Sequence, residues 1–270
     1  MKRRYFSLLG LAACLYGPSA ALAQVAPALG VVQQFSVLGG SGVTGSAGAG
    51  TLVVGDVGSF PTCNVTNFPP STVFPPFLLH GPVVCDGTVA TARGDATAAF
   101  VALNQGVGTV LPASLNLANG TGIITTGIYT FLTGAAILPA GTTVTFSGPG
   151  IFVLRTASTL TTVGTSNMLF AGGANPCNVF WQVGSSAIID SVTFLGQVFA
   201  SASVTVTGNM TGRAIAGSGA VTMPVGGNTI GGCATAGAPP LLPVPALPDA
   251  AMLGLLGILL ASGVFVLARR

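Results

Sequence analysis

Between residues 24 and 236 the chain is built from short apolar or alternating runs bounded by glycine, which is the pattern of many short strands. Such runs are Thr143-Val144-Thr145-Phe146, Ile151-Phe152-Val153-Leu154, Ser203-Val204-Thr205-Val206-Thr207 and Ala220-Val221-Thr222-Met223. They also recur. Gly196-Gln197-Val198-Phe199-Ala200 is echoed sixteen residues later by Gly212-Arg213-Ala214-Ile215-Ala216, and Val204 returns as Val221 after seventeen. A spacing near seventeen holds about three short strands and their turns, the size of one coil of a parallel β-helix. Upstream the spacing lengthens where loops such as 171–176 intrude.

Side chains alternate in and out along a strand, so an apolar pair brackets one outward position. With Leu160/Thr162, Ala187/Ile189, Val204/Val206 and Val221/Met223 inward, the outward residues are Thr161, Ile188, Thr205 and Thr222. Two positions before them stand Thr159, Ser186, Ser203 and Ala220. Stacked at the strand spacing of about 4.7–4.9 Å, these eight positions form a flat two-column array of small, mostly hydroxyl-bearing side chains. Threonine and serine are also favoured on any exposed strand by β-propensity alone, and Ile188 interrupts the column.

One segment departs from this pattern. Residues 88–105 are alanine-rich, with Val89, Ala92, Ala96, Ala99, Phe100 and Leu103 at helical spacing. Asp86 or Thr88 can cap this helix, and its apolar stripe requires cover, which the side of the solenoid supplies. The expected class is therefore all-β with one long helix, a parallel β-helix with the helix packed along one side.

Composition narrows the function more than the fold. Half of the 270 residues are apolar and 5% are charged, against about 25% in an ordinary protein. The formal charge of +3 misleads, because Lys2, Arg3, Arg4, Arg269 and Arg270 lie in the terminal segments. Between them stand Arg93, Arg155 and Arg213 against Asp56, Asp86, Asp95, Asp190 and Asp249, with no lysine and no glutamate. A mildly acidic domain has no basic patch to neutralise phosphates, which argues against nucleic acid as a partner.

The termini read as export signals. Basic Met1-Lys2-Arg3-Arg4, an apolar run from Tyr5 to Tyr16 and the small-residue site Ala21-Leu22-Ala23 before Gln24 make a secretory signal over 1–23. Leu11-Ala12-Ala13-Cys14 offers a rival, a bacterial lipobox with Cys14 as a lipidated N-terminus. After a solenoid domain over 24–236, residues 237–249 form a proline-rich linker and 250–270 an apolar segment ending in Arg269-Arg270. The nineteen residues 250–268, at about 1.5 Å each, just span a bilayer core of about 30 Å. The arginines would remain on the cytoplasmic side. Val244-Pro245-Ala246-Leu247-Pro248-Asp249, the apolar helix and the arginine pair resemble the sorting tails of Gram-negative exported proteins of the PEP-CTERM or IPTL-CTERM kind, without a literal Pro-Glu-Pro. That resemblance implies a transient membrane hold before processing.

Export places Cys63, Cys85, Cys177 and Cys233 where disulfides form, and four cysteines allow three pairings. Cys63 with Cys85 closes the proline-rich excursion between them, and Cys177 with Cys233 ties a mid-domain loop to the end of the domain. Zinc is disfavoured, since there is no Cys-x-x-Cys pair and His80 is the only histidine. No cofactor site and no catalytic set can be assembled: there is no Ser-His-Asp group, no paired glutamates and no phosphate-binding glycine loop. His80 reads as a solvated loop residue, Asp56 as a turn residue capping its own backbone, and Trp181 as core. Arg155 and Arg213 read as partners for Asp190 or for backbone carbonyls.

Several stretches carry a family resemblance. Gly30-Val31-Val32-Gln33-Gln34-Phe35-Ser36-Val37-Leu38-Gly39-Gly40, Gly55-Asp56-Val57-Gly58, Gly127-Ile128-Tyr129-Thr130-Phe131, Asn178-Val179-Phe180-Trp181-Gln182-Val183 and Gly212-Arg213-Ala214-Ile215-Ala216 follow in order. Together they resemble the bacterial and fungal ice-binding-like family over residues 29–233; the cysteine-bracketed insertion 63–85 departs from it. The resemblance implies a discontinuous right-handed solenoid with three faces, and an ice or water surface as the partner. On such a face, threonine adds a methyl that orders water and a hydroxyl that binds it, on a side chain with restricted χ1. The alternative is a non-catalytic structural or adhesion module at the cell envelope or in the extracellular matrix, without affinity for ice.

Overall fold

The computed structural model describes residues 24–81 and 86–235. Its elements are overwhelmingly short β-strands, with one α-helix among the described residues. Every strand pairing is parallel and joins one coil to the next, as a solenoid requires.

The strands fall into a seven-stranded ladder and a branched thirteen-stranded sheet. The ladder runs Ala136–Leu138, Leu160–Thr162, Ala187–Ile189, Val204–Val206, Ala220–Thr222, Gly42–Thr44, Val65–Thr66. Its order is not the chain order. The strand at Gly42–Thr44 lies against Ala220–Thr222 across almost the whole domain, and Phe35–Gly39 pairs with Asn209–Ala216 in the same way. The first coils of the chain therefore stack beyond its last coil, and the outermost coil at that end comes from the insertion after Phe60.

This order explains the helix. Having built one end of the stack, the chain must travel back to start the other at Thr109–Leu111. Helix Gly87–Ala102 makes that journey: sixteen residues at about 1.5 Å each cover about 24 Å, close to the about 29 Å of six coil steps. Its contacts advance coil by coil. Arg93 donates to the carbonyls of Ala216 and Gly217, the Phe100 carbonyl accepts from Gln182 at 2.7 Å, and Asn104, just past the helix, accepts from Arg155 at 3.0 Å. Asp86 is the N-cap, its carboxylate accepting from the Val89 amide at 3.0 Å. The helix ends three residues short of the expected 105.

Val89, Ala92, Ala96, Ala99 and Leu103 form the buried stripe, packed on Leu38, Val153, Phe180, Phe199 and Ile215. The main core lies inside the coils, where Trp181 is fully buried between Phe146 and Phe194 and donates to the Leu195 carbonyl at 3.2 Å. The sixteen-residue echo is a stacking register: Gly196 to Ala200 pair one for one with Gly212 to Ala216. Gly212 sits at φ +155°, where an added Cβ would come within 1.7 Å of the Gly196 carbonyl oxygen, so this corner admits only glycine.

A disulfide joins Cys177 to Cys233, one of the expected pairs. Cys85 lies outside the described residues, as do the signal segment 1–23, the linker 237–249 and the apolar tail. Among the described residues no helix is long and apolar enough to cross a membrane.

Candidate functional site

The inward and outward positions of the ladder follow from its hydrophobic pairs. Leu160, Ala187, Ile189, Val204, Val206, Val221 and Met223 are buried, and so is Thr162, whose hydroxyl bonds to Ser191 inside the coil at 3.2 Å. Their outward neighbours stand in register: Ile137 against Thr161, Thr161 against Ile188, Ile188 against Thr205 and Thr205 against Thr222. The second column holds Thr159, Ser186, Ser203 and Ala220, and the hydroxyls of Ser186 and Ser203 lie 2.9 Å apart. All eight expected positions thus share one surface, which the helix leaves uncovered.

The column does not end at Thr222. Thr44 pairs with Thr222, and Thr66 pairs with Thr44. The Thr66 hydroxyl donates to that of Thr44 at 3.2 Å. Thr205, Thr222, Thr44 and Thr66 therefore run without interruption across the junction between the last and first coils. Sequence reasoning missed Thr44 and Thr66, although a signal was present. Val43-Thr44, Val65-Thr66, Val204-Thr205 and Val221-Thr222 are the same dipeptide, with valine inward and threonine outward in each strand. The other half of the column is less uniform, since Ile137 and Ile188 are 38% and 47% exposed.

Charge approaches the face only at its rim. Asp190, two residues beyond Ile188, accepts from the Thr207 hydroxyl at 2.7 Å and from the Gly164 amide at 3.2 Å. It does not pair with an arginine. Arg155 binds Asn104 and the Gly106 carbonyl, and Arg213 is buried, donating to Gln197 and to the carbonyls of Gln33, Phe35 and Cys233. Burial pushes the Arg213 guanidinium down to about 10, still protonated at neutral pH.

The second helix-free ladder differs. Thr143, Asn167, Thr193 and Asn209 stand in register there, as do Thr229, Leu52 and Thr72. Asn209 is occupied by backbone groups, accepting from the Thr229 amide and donating to the Val192 carbonyl, and exposed Leu52 and Leu169 break the polarity. Its outward threonines are thus separated by asparagines and leucines and form no uninterrupted run.

Two expectations fail at the capped end of the stack. His80 is not a solvated loop residue but is 6% exposed, because the insertion folds back as a coil and its strand Leu79–His80 pairs with Asp56–Ser59. Asp56 does not cap its own turn; it accepts from the Leu78 amide at 2.8 Å and from His80. His80 Nε2 lies 3.2 Å from Asp56, and Nδ1 lies 2.7 Å from Asp86. Burial lowers the His80 pKa, but the hydrogen bonds and charges of the two carboxylates outweigh it and raise the group above its ordinary value. Burial raises the Asp86 carboxyl, but His80 and the Val89 amide draw it below its ordinary range. Among the described residues no group of three or more His, Cys, Asp or Glu is placed to hold a metal ion.

Known proteins share this architecture. A model of a family described as "Ice-binding-like" matches residues 37–230. An ice-binding protein of Nostoc sp. (strain HG1) is 33% identical over 229 residues, covering 83% of this chain and 81% of that protein. The crystal structure of an ice-binding protein from an Antarctic biological consortium matches with a TM-score of 0.66 at 33% identity, over 77% of this chain and 92% of its own. That of an Antarctic ascomycete, Antarctomyces psychrotrophicus, matches with a TM-score of 0.63 at 29% identity, over 77% and 98%.

Proposed function

The chain belongs to the ice-binding-like family, and from that premise we propose that it adsorbs to ice through the seven-stranded ladder, limiting crystal growth or recrystallisation. The contact surface comprises Thr159, Thr161, Ser186, Ile188, Ser203, Thr205, Ala220 and Thr222, extended by Thr44 and Thr66. The observation that carries this reading is the uninterrupted run of four outward threonines on four adjacent strands.

The physics favours a water surface over a discrete ligand. Parallel strands repeat at about 4.7–4.9 Å, a spacing near that of the ice lattice. Threonine methyls and hydroxyls at that repeat hold adjacent water in order, and β-branching limits the side-chain freedom lost on adsorption. The backbone ladder keeps the surface rigid before contact, so little ordering remains to be done at the crystal. The absence of a charged side chain from the two columns avoids water oriented against the lattice.

The finer architecture proposed is a right-handed solenoid with three faces: one under the helix, one mixed and one binding ice. Export through the signal ending at Ala23 brings the domain to the medium or the cell surface, and the apolar tail 250–268 serves as its sorting segment. The decisive measurement is ice-crystal habit and recrystallisation with the purified protein. Faceted crystals and arrested grain growth are expected; unshaped crystals and unaltered coarsening at high protein concentration would leave a surface module without ice affinity.

A further inference from the structure

The cap of the solenoid holds a buried histidine that ice adsorption leaves unexplained. His80 lies in the outermost coil, which is made of two-residue strands, Val65–Thr66, Thr72–Val73 and Leu79–His80, and has a neighbouring coil on one side only. Such a coil has half the cross-strand partners of an inner one and is the first expected to open. It also carries Thr66, the last threonine of the ladder column.

Both ring nitrogens of His80 face carboxylate oxygens, Nε2 on Asp56 and Nδ1 on Asp86. A neutral imidazole has one donor and one acceptor, so it can satisfy only one of these contacts; the other would set lone pair against lone pair. The imidazolium donates to both. The two carboxylates belong to different elements: Asp56 to the adjoining coil, Asp86 to the N-cap of the helix. Among the described residues the charged groups facing the ring are these two carboxylates, and the Phe35 ring packs beside it at 5.0 Å. Arg93, on the same helix, is turned away onto the Ala216 and Gly217 carbonyls.

We propose that protonated His80 is a latch that holds the outermost coil, and with it Thr66, against the adjoining coil and the helix, so that the capped end of the ladder is ordered in the imidazolium state and loosened in the neutral one. The effect on ice adsorption rests on the ladder being the contact surface; the latch itself does not. The sign follows from linkage. A histidine whose folded pKa is raised contributes stability that is complete below its unfolded value, near 6.5, and is lost as pH rises through the folded pKa. The cap therefore loosens on the alkaline side.

The chain contains one histidine, so its imidazole resonances titrate without ambiguity in a nuclear magnetic resonance experiment. The expected midpoint lies above 6.5, and Asp86→Asn, which keeps a capping oxygen and removes the charge, lowers it. Over the same range, exchange protection of the Gly45 and Thr72 amides, whose hydrogen bonds cross to the outermost coil, should fall about tenfold or more. That of Ala187, bonded between inner coils, should stay constant. His80→Gln should abolish the pH dependence and leave the cross-coil protection low throughout. A wild-type midpoint at or below 6.5, or cross-coil protection indifferent to pH, would overturn the latch even where the variants fail to fold. Recrystallisation inhibition should decline with the protection; inhibition unchanged while the cap opens would overturn the role of Thr66. If no inhibition occurs at any pH, the ice reading fails while the exchange data still decide the latch.

Discussion

The face under the helix and the seven-stranded ladder are built by the same coils, yet their outward residues could hardly differ more. Under the helix, Leu38, Val153, Phe180, Phe199 and Ile215 point away from the solenoid interior and are at most 2% exposed, because Val89, Ala92, Ala96, Ala99 and Leu103 cover them. On the ladder the same outward parity carries Thr161, Thr205, Thr222, Thr44 and Thr66, and nothing in the described domain covers them. Strand pairing alone supports either surface. What the outward positions display decides whether a coil face recruits a helix by apolar burial or presents itself to water.

Substitutions can break that contrast from either side. The largest expected effect is on the ladder: Thr205→Arg places a long charge on the middle strand of the seven, at the head of the threonine run, and should reduce ice shaping and recrystallisation inhibition to the level of buffer. Its unfolding free energy should stay within about 0.5 kcal/mol of the parent, as for most surface changes. Retained activity would move the contact to another face, and the Thr143–Asn167–Thr193–Asn209 column is then the next to mutate.

The covered face should respond in the opposite way. Phe199→Ala removes a ring held between the helix and the coils, and denaturant unfolding should show a loss of about 3–5 kcal/mol. Ice activity per folded molecule should persist at low temperature. A smaller loss, about 1 kcal/mol from the missing N-cap, is expected for Asp86→Ala at a pH above the His80 transition, where the imidazolium no longer contributes. The subtlest change sharpens the ladder itself: Ile188→Thr would join Thr161 to Thr205 in one column. Stability should change by about 0.5 kcal/mol or less, while the protein concentration needed to arrest recrystallisation should fall. A rise would mean that the exposed isoleucine contributes to adsorption by its apolar surface.

Much of this was legible along the chain. The Gly196 and Gly212 motifs are sixteen residues apart because they stack directly, and the Ala-rich segment is a helix with the stripe its spacing implies. Inward and outward positions on the ladder were readable because the apolar pairs repeat with the two-residue period of a strand. Trp181, the only tryptophan, is core as its surroundings suggested. The capped end was not legible. His80 has its partners 24 and 6 residues away, and nothing local marks a proline-rich excursion as a folded coil that buries a histidine between two aspartates.

The sequence by itself determined what is periodic: short strands, coil length, the helix and the polarity of each outward position, all of which depend on residues close together in the chain. Only the tertiary structure decided the order in which coils stack. Nothing in the repeat says that Gly42–Thr44 follows Ala220–Thr222, because a parallel strand accepts any neighbour with matching inward residues, and the choice depends on how the ends and the returning helix close around the stack. That junction turned two pairs of threonines, far apart in the chain, into one uninterrupted run.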